Sequence, residues 1–153
     1  MARYLMRVRT PLSPSEAFAY MADLNHFAAW DPGVDRVEQV SGEGPGPDAA
    51  FDVAVKAAGR SITLRYNIVS YEAPTSVVAF AESSLLTSRD TITVEPSDTG
   101  SGSIVTYDAV LKLKGVLALA DPLLGLSFKR IGDRAGAGLV AALEGERLPE
   151  PVA

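Results

Sequence analysis

The chain has 153 residues, 47% of them hydrophobic and 22% charged, which suits one domain with a core and is too short for two. Its formal net charge of -5 offers no basic footprint to a phosphate backbone, so nucleic acid is not an expected partner. It has no cysteine, which excludes disulfides, thiolate chemistry and zinc–thiolate sites.

The first residues, Met1 to Arg9, interleave charge with apolar side chains and lack the unbroken apolar core of a signal peptide. Residues 3–10 alternate, with Tyr4, Met6 and Val8 on one side and Arg3, Leu5, Arg7 and Arg9 on the other, as in a half-buried strand. Ser13-Pro14-Ser15-Glu16 reads as a capping box with proline at the first helical position. A short helix is expected over 14–21 and a second over 24–29, with Trp30 at its exit and Asp31-Pro32-Gly33 ending it.

From 34 to 113 the pattern is strand and turn. Strands are expected at 34–40, 51–57, 62–68, 76–82, 89–95 and 103–113, with a glycine- and proline-rich loop over 41–47 and turns at Ala58-Gly59, at 72–75 and over 97–102. Short turns between consecutive strands imply an antiparallel meander.

The segment 114–143 is extended and apolar, with a helix start at Asp121 as cap and Pro122 in the first turn. Leu124, Phe128, Ile131, Ala135, Leu139 and Ala142 form one stripe, while Ser127, Arg130, Asp133 and Arg134 lie away from it. Gly125, Gly132, Gly136 and Gly138 interrupt this helix at about 1 kcal/mol each relative to alanine. So many imply close approach to the sheet or room left beside it. The longest apolar run, 116–120, is far short of a membrane span. Residues 1–147 are read as one domain and 148–153, with Pro149 and Pro151, as a frayed tail. A single long helix closing a run of strands suggests a curved sheet wrapped around it with space between, which is a container.

The order strand, two short helices, six antiparallel strands, long C-terminal helix resembles the α+β helix-grip fold of the START and birch-pollen-allergen superfamily. Ser13 to Phe18, Met21 to Leu24 and Trp30-Asp31-Pro32 resemble the opening of its bacterial polyketide cyclase/dehydrase branch, and Gly100 to Tyr107 its closing half. The resemblance covers nearly the whole chain, and its motifs are structural. It implies a largely apolar cavity between sheet and C-terminal helix for lipids, polyketides or similar molecules, in proteins that are binders or aromatase/cyclases.

His26 is the only histidine, so a histidine-rich metal site is excluded, and no carboxylate cluster has ligand spacing. No Gly-x-Ser-x-Gly elbow accompanies it, and the 42–46 glycine loop lacks the strand-to-helix crossover of a dinucleotide site. No metal or cofactor is therefore expected. Period-two parity puts Tyr66 with Ile62, Leu64 and Ile68, Tyr107 with Val105, Ala109 and Leu111, and Asp90 with Ile92 and Val94, all facing the container. Tyr66 and Tyr107 can orient a carbonyl or phenol, or serve as core tyrosines. Asp90 can act as a general base, sit at a strand end in water, or pair with an arginine such as Arg89 or Arg65. The candidate catalytic residues are Asp90, Tyr66 and Tyr107. The candidate ligand-binding residues are Trp30, Phe51, Val53, Leu64, Tyr66, Tyr107, Leu111, Leu124, Phe128 and Ile131.

The leading function is binding of a small hydrophobic molecule. The alternatives are a polyketide cyclase or dehydratase using the same cavity, and an interaction or stress module with a vestigial one. A cytoplasmic monomer or homodimer without a membrane span is expected.

Overall fold

The structure, a computed structural model, describes residues 1–57 and 59–149, with the backbone alone at 57 and 120–126. The first strand, β1 (Ala2–Thr10), buries every second side chain, as its alternation requires. Helix α1 (Pro14–Ala22) opens on the expected capping box: Glu16 N–H donates to Ser13 Oγ at 3.2 Å, and Ser13 N–H donates to Glu16 Oε1 at 3.3 Å. It buries Ala17, Phe18, Met21 and Ala22. The second helix is not the continuous 24–29 segment expected. The Asp23 carboxylate accepts from Asn25 N–H at 3.0 Å, which tightens Leu24–His26 into a 3₁₀ turn before α2 (Phe27–Trp30) begins.

Six antiparallel strands follow: β2 (Val34–Ser41), β3 (Ala50–Ala57), β4 (Arg60–Glu72), β5 (Ser76–Glu82), β6 (Leu86–Pro96) and β7 (Ser103–Leu113). β4 and β6 outrun the expected 62–68 and 89–95, because their neighbours go on offering hydrogen-bond partners past the apolar stretch. Thr87 and Ser88 are thereby carried into the ladder opposite Lys112 and Leu111. Gly59 turns β3 into β4 at a φ of 76°, a conformation that glycine adopts without Cβ strain, while Ala58 lies outside the described residues. A 3₁₀ segment (Gly115–Ala120) leads into α3 (Asp121–Ala142), so Asp121 is the first helical residue, and any capping by its side chain lies outside the described residues. Leu148, expected to begin a frayed tail, instead ends a short strand, β8 (Glu146–Leu148), paired with β1 through Arg7↔Leu148; residues 150–153 lie outside the described residues.

The sheet order is β2-β3-β4-β5-β6-β7-β1-β8, an open, curved antiparallel sheet with α3 lying against it. This is the helix-grip arrangement that the element order implies. The register sets one concave face across the strands. Tyr66 lies opposite Ala81, Ala81 opposite Ser88, Ala79 opposite Asp90, Asp90 opposite Ala109, and Tyr107 opposite both Ile92 and Met6.

α3 closes that face with buried Ala135 and Leu139, helped by Leu143 just past its end. Its glycines mark close approach. A Cβ at Gly132 would sit 2.3 Å from the Tyr4 ring, and one at Gly138 would sit 1.8 Å from the Trp30 carbonyl oxygen. The wall beneath is densely apolar: Phe51, Val53, Val77 and Val105 are fully buried, each removing about 1.5–3 kcal/mol worth of apolar surface from water. Thr10 Oγ1 donates to the Leu143 carbonyl at 2.6 Å and accepts from Leu12 N–H at 3.2 Å, which ties the end of α3 to β1.

Candidate functional site

The concave wall carries one connected polar group centred on the middle strands. Its centre is Asp90, on β6, 3% exposed. Tyr107 on β7 donates its hydroxyl to Asp90 Oδ2 at 2.5 Å. Ser88, two residues before Asp90 and therefore on the same face, donates to Asp90 Oδ1 at 3.1 Å. Tyr66 on β4 reaches across β5 and donates to Ser88 Oγ at 2.9 Å. It can cross because, between it and Ser88, the intervening strand presents the small side chains of Ala79 and Ala81 to this face. The result is a chain Tyr66–Ser88–Asp90–Tyr107 spanning four strands.

No arginine takes part, contrary to the pairing considered for Asp90. Arg65 donates to Asp52 at 2.8 and 3.0 Å on the convex side, and Arg89 lies over the Phe80 ring at 5.0 Å. Burial without a cation pushes the Asp90 carboxyl up to about 6. The hydrogen bonds from Tyr107 and Ser88 oppose that rise, and the charges of Asp31 and Asp108 add to it. Tyr66 and Tyr107 are held well above the usual phenol range, first by burial and then by the charge of Asp90. Asp31 is also raised by burial, against the Gly33 N–H that it accepts at 2.8 Å.

Among the described residues two hollows flank Tyr107. The first, of about 10 Å³, is lined by Met21, Asp23, Leu24, Phe27, Trp30, Ala79, Asp90, Ile92 and Tyr107. The second, of about 40 Å³, lies under α3 against Tyr4, Met6, Asp31, Phe128, Ile131 and the other face of Tyr107. A single water needs roughly 10–15 Å³, so the first holds about one water and the second a few. The spacious container expected from the sequence is thus closed down in this conformation. Trp30 lines the first hollow, where its ring stacks on Phe27 at 4.8 Å and meets Tyr107 edge-on at 5.4 Å.

Of the candidate residues, Trp30, Asp90, Tyr107, Phe128 and Ile131 line the hollows, Ile131 while 41% exposed at the rim. Tyr66 joins them only through Ser88. Phe51, Val53 and Leu64 are buried in the packed part of the wall, and Leu111 packs against the same core, so none of these lines either hollow. The Leu124 side chain lies outside the described residues. Ser88 and Asp31 belong to the site and were not singled out from the sequence. Extending the parity of Asp90 back by two positions finds Ser88. His26 takes no part: its ring stacks on Tyr20 at 4.4 Å, and Nδ1 lies 2.9 Å from the Tyr20 carbonyl. Among the described residues no group of acidic or histidine side chains is arranged to hold a metal, and no helix is long and apolar enough to cross a membrane.

The arrangement can do two things chemically. It can set a polar group of an apolar guest against Asp90 and Tyr107, and it can hold or release one proton at the Asp90 carboxyl near neutral pH.

Solved structures share this architecture at low identity. A START superfamily protein from Mycobacterium smegmatis aligns over 94% of this chain and 98% of its own at 10% identity, with a TM-score of 0.76. The di-domain ARO/CYC StfQ of the steffimycin biosynthetic pathway matches over 94% of this chain and 51% of its own, at 14% identity and a TM-score of 0.66. Ginseng major latex-like protein 151 from Panax ginseng matches over 97% and 98%, at 12% identity and a TM-score of 0.62. No curated protein matches the sequence significantly. The family model described as polyketide cyclase / dehydrase and lipid transport matches residues 1–144, and the chain belongs to that family.

Proposed function

We propose that this protein binds a small apolar molecule between the sheet and α3, with Tyr107 and Asp90 orienting it. The observation that carries this reading is the buried chain Tyr66–Ser88–Asp90–Tyr107 at the edge of the hollows. A carboxylate buried without a cation is costly, and apolar side chains of similar volume fill such a wall at lower cost. Ionisable groups of this kind concentrate at functional sites. The fold shared with the START superfamily protein and with the di-domain ARO/CYC StfQ supports the same reading.

Drug-sized guests occupy roughly 300–1,000 Å³. Binding therefore requires Trp30 or the first turns of α3 to move outward, merging the hollows on either side of Tyr107. A second reading, a cyclase or dehydratase, is favoured by the Asp90 carboxyl titrating at about 6, where it can both take and return a proton.

The test is native mass spectrometry of freshly purified protein, with organic extraction of any bound compound and a screen of lipids and polyketides. A co-purified or titratable apolar ligand, lost or weakened in Tyr107→Phe, supports binding. Turnover lost in Tyr107→Phe or Asp90→Asn with binding retained selects the enzyme. No ligand in any arm overturns both and leaves an interaction module, for which Val116 and Leu119, 83% and 86% exposed beside α3, are the available apolar surface.

A further inference from the structure

We infer, granted that a guest enters between the sheet and α3, that the group it sets against the sheet wall is a hydrogen-bond donor, a hydroxyl on an apolar frame. The reason is the direction in which the wall's own protons point. A carboxylate only accepts, so Ser88 must donate its single proton to Asp90 and can only accept from Tyr66. Tyr107 spends its proton on the other carboxylate oxygen. The three hydroxyl protons of the chain make three hydrogen bonds, all running toward Asp90. What the chain still offers a guest is lone pairs on Asp90 and Tyr107.

The rest of the lining agrees. Tyr4, in the second hollow, gives its proton to Asp133 at 2.9 Å. Asp23 and Asp31 add two further acceptors, and among the described residues no lysine, arginine or histidine lines either hollow. The remaining side-chain donor in the described lining is the Trp30 indole N–H, on the helical side opposite the sheet. A hydroxyl satisfies both sides, since it donates to the wall and can accept from the indole. A ketone, ester or ether brings a second acceptor to a wall of acceptors, and one polar group is left unpaired.

Asn at position 90 reverses this logic. Its amide brings two protons and one carbonyl, so whichever way it turns, it donates either to Tyr107 or to Ser88. The hydroxyl it donates to can no longer point at residue 90. Donation to Tyr107 frees that proton for the hollow; donation to Ser88 turns the chain back toward Tyr66.

The experiment measures binding of 2-naphthol and its methyl ether, 2-methoxynaphthalene, to the wild-type protein and to Asp90→Asn by isothermal titration calorimetry at pH 7.5. The two probes share one apolar frame and differ in the proton. The expected result is at least ~10-fold tighter binding of naphthol by the wild type, the ratio that a hydrogen bond to a charged acceptor commands. In Asp90→Asn the preference falls to within about 3-fold or inverts, as a released tyrosine proton meets the ether oxygen. Equal binding of both probes by the wild type overturns the inference and leaves the binding reading standing. If neither probe binds, no apolar guest of this size enters and both fall together. The wild-type ratio decides the matter even if Asp90→Asn does not fold.

Discussion

Replacing Asp90 with Asn tests the electrostatics of the wall through stability alone, with no ligand needed. Unfolded, the carboxyl releases its proton near the ordinary 3.8; folded, burial holds it until about 6. Its contribution to stability is therefore fully present below about pH 3 and is lost as pH rises from there through 6, because the folded state must then bury a charge that the unfolded state leaves in water. At about 1.4 kcal/mol for each tenfold change in proton affinity, the loss amounts to about 3 kcal/mol by pH 7. The groups that set this value are the opposing hydrogen bonds from Tyr107 and Ser88 and the like charges of Asp31 and Asp108. Asn cannot ionise, so the variant lacks this pH-dependent term. The shift in hydrogen bonding that it introduces is the same at every pH. The stability difference, Asp90→Asn minus wild type, should rise by about 3 kcal/mol between about pH 3 and pH 7. In a domain of this size that is roughly 6–12 °C of melting temperature. Urea unfolding at half-unit pH steps, followed by circular dichroism, measures it. Surface carboxylates held low by partners, such as Asp52 beside Arg65 and Asp133 beside Tyr4, move wild type and variant alike and cancel in the difference. A difference that stays flat across that range shows that Asp90 is not buried as an unpaired acid, and the account of the wall fails.

Two further predictions probe how α3 is held. Gly138→Ala should destabilise the fold by at least about 1–3 kcal/mol, because its Cβ would meet the Trp30 carbonyl at 1.8 Å and backbone cannot rotate aside; a melting temperature equal to wild type counts against the close approach of α2 and α3. Thr10→Val should cost about 1–3 kcal/mol in urea unfolding by removing the 2.6 Å bond to the Leu143 carbonyl while keeping the side chain's shape, and a neutral result means that this carbonyl finds water instead.

The parts of this molecule visible in its sequence are those that local periodicity controls. Alternation placed Tyr66, Asp90 and Tyr107 on one face, since each lies within a run of buried partners at period two. The capping box at Ser13 and the helix stop at Asp31-Pro32-Gly33 are equally local. Ser88 escaped because Ser83 to Ser88 has the composition of a turn, and its place in β6 depends on the pairing of Ser88 with Leu111 and Ala81 on neighbouring strands. Asp31 was read as a helix terminator; that its carboxylate also borders the hollow under α3 depends on how two distant elements pack. The volume of the hollow was beyond reach for the same reason. It is what remains after Phe27 and Trp30 have stacked and Tyr107 has met both edge-on, and sequence spacing sets no ring-to-ring distance.

The glycine contacts of the closing helix and just past its end bear on where the proposed opening would lie. Gly132, Gly136 and Gly138 bring α3 against Tyr4, Met6 and the Trp30 backbone, and Gly145 brings the chain after it against the Arg9 carbonyl. Leu139 and Leu143 are fully buried between them. Prising up this half would break backbone-close packing and the Thr10 bond together. Over Ser127 to Ile131 the described side chains of α3 are held more loosely: Ile131 is exposed at the rim, Phe128 is half-buried, and Ser127, Lys129 and Arg130 face water. Few buried contacts mean a low local opening free energy. The proposed guest would therefore gain its space from the Phe128–Ile131 side, where, among the described residues, displacement sacrifices about one half-buried aromatic ring. An opening there leads straight to Tyr107 and, past Trp30, to the Asp90 carboxyl, so the wall's acceptors lie on the path that packing leaves weakest.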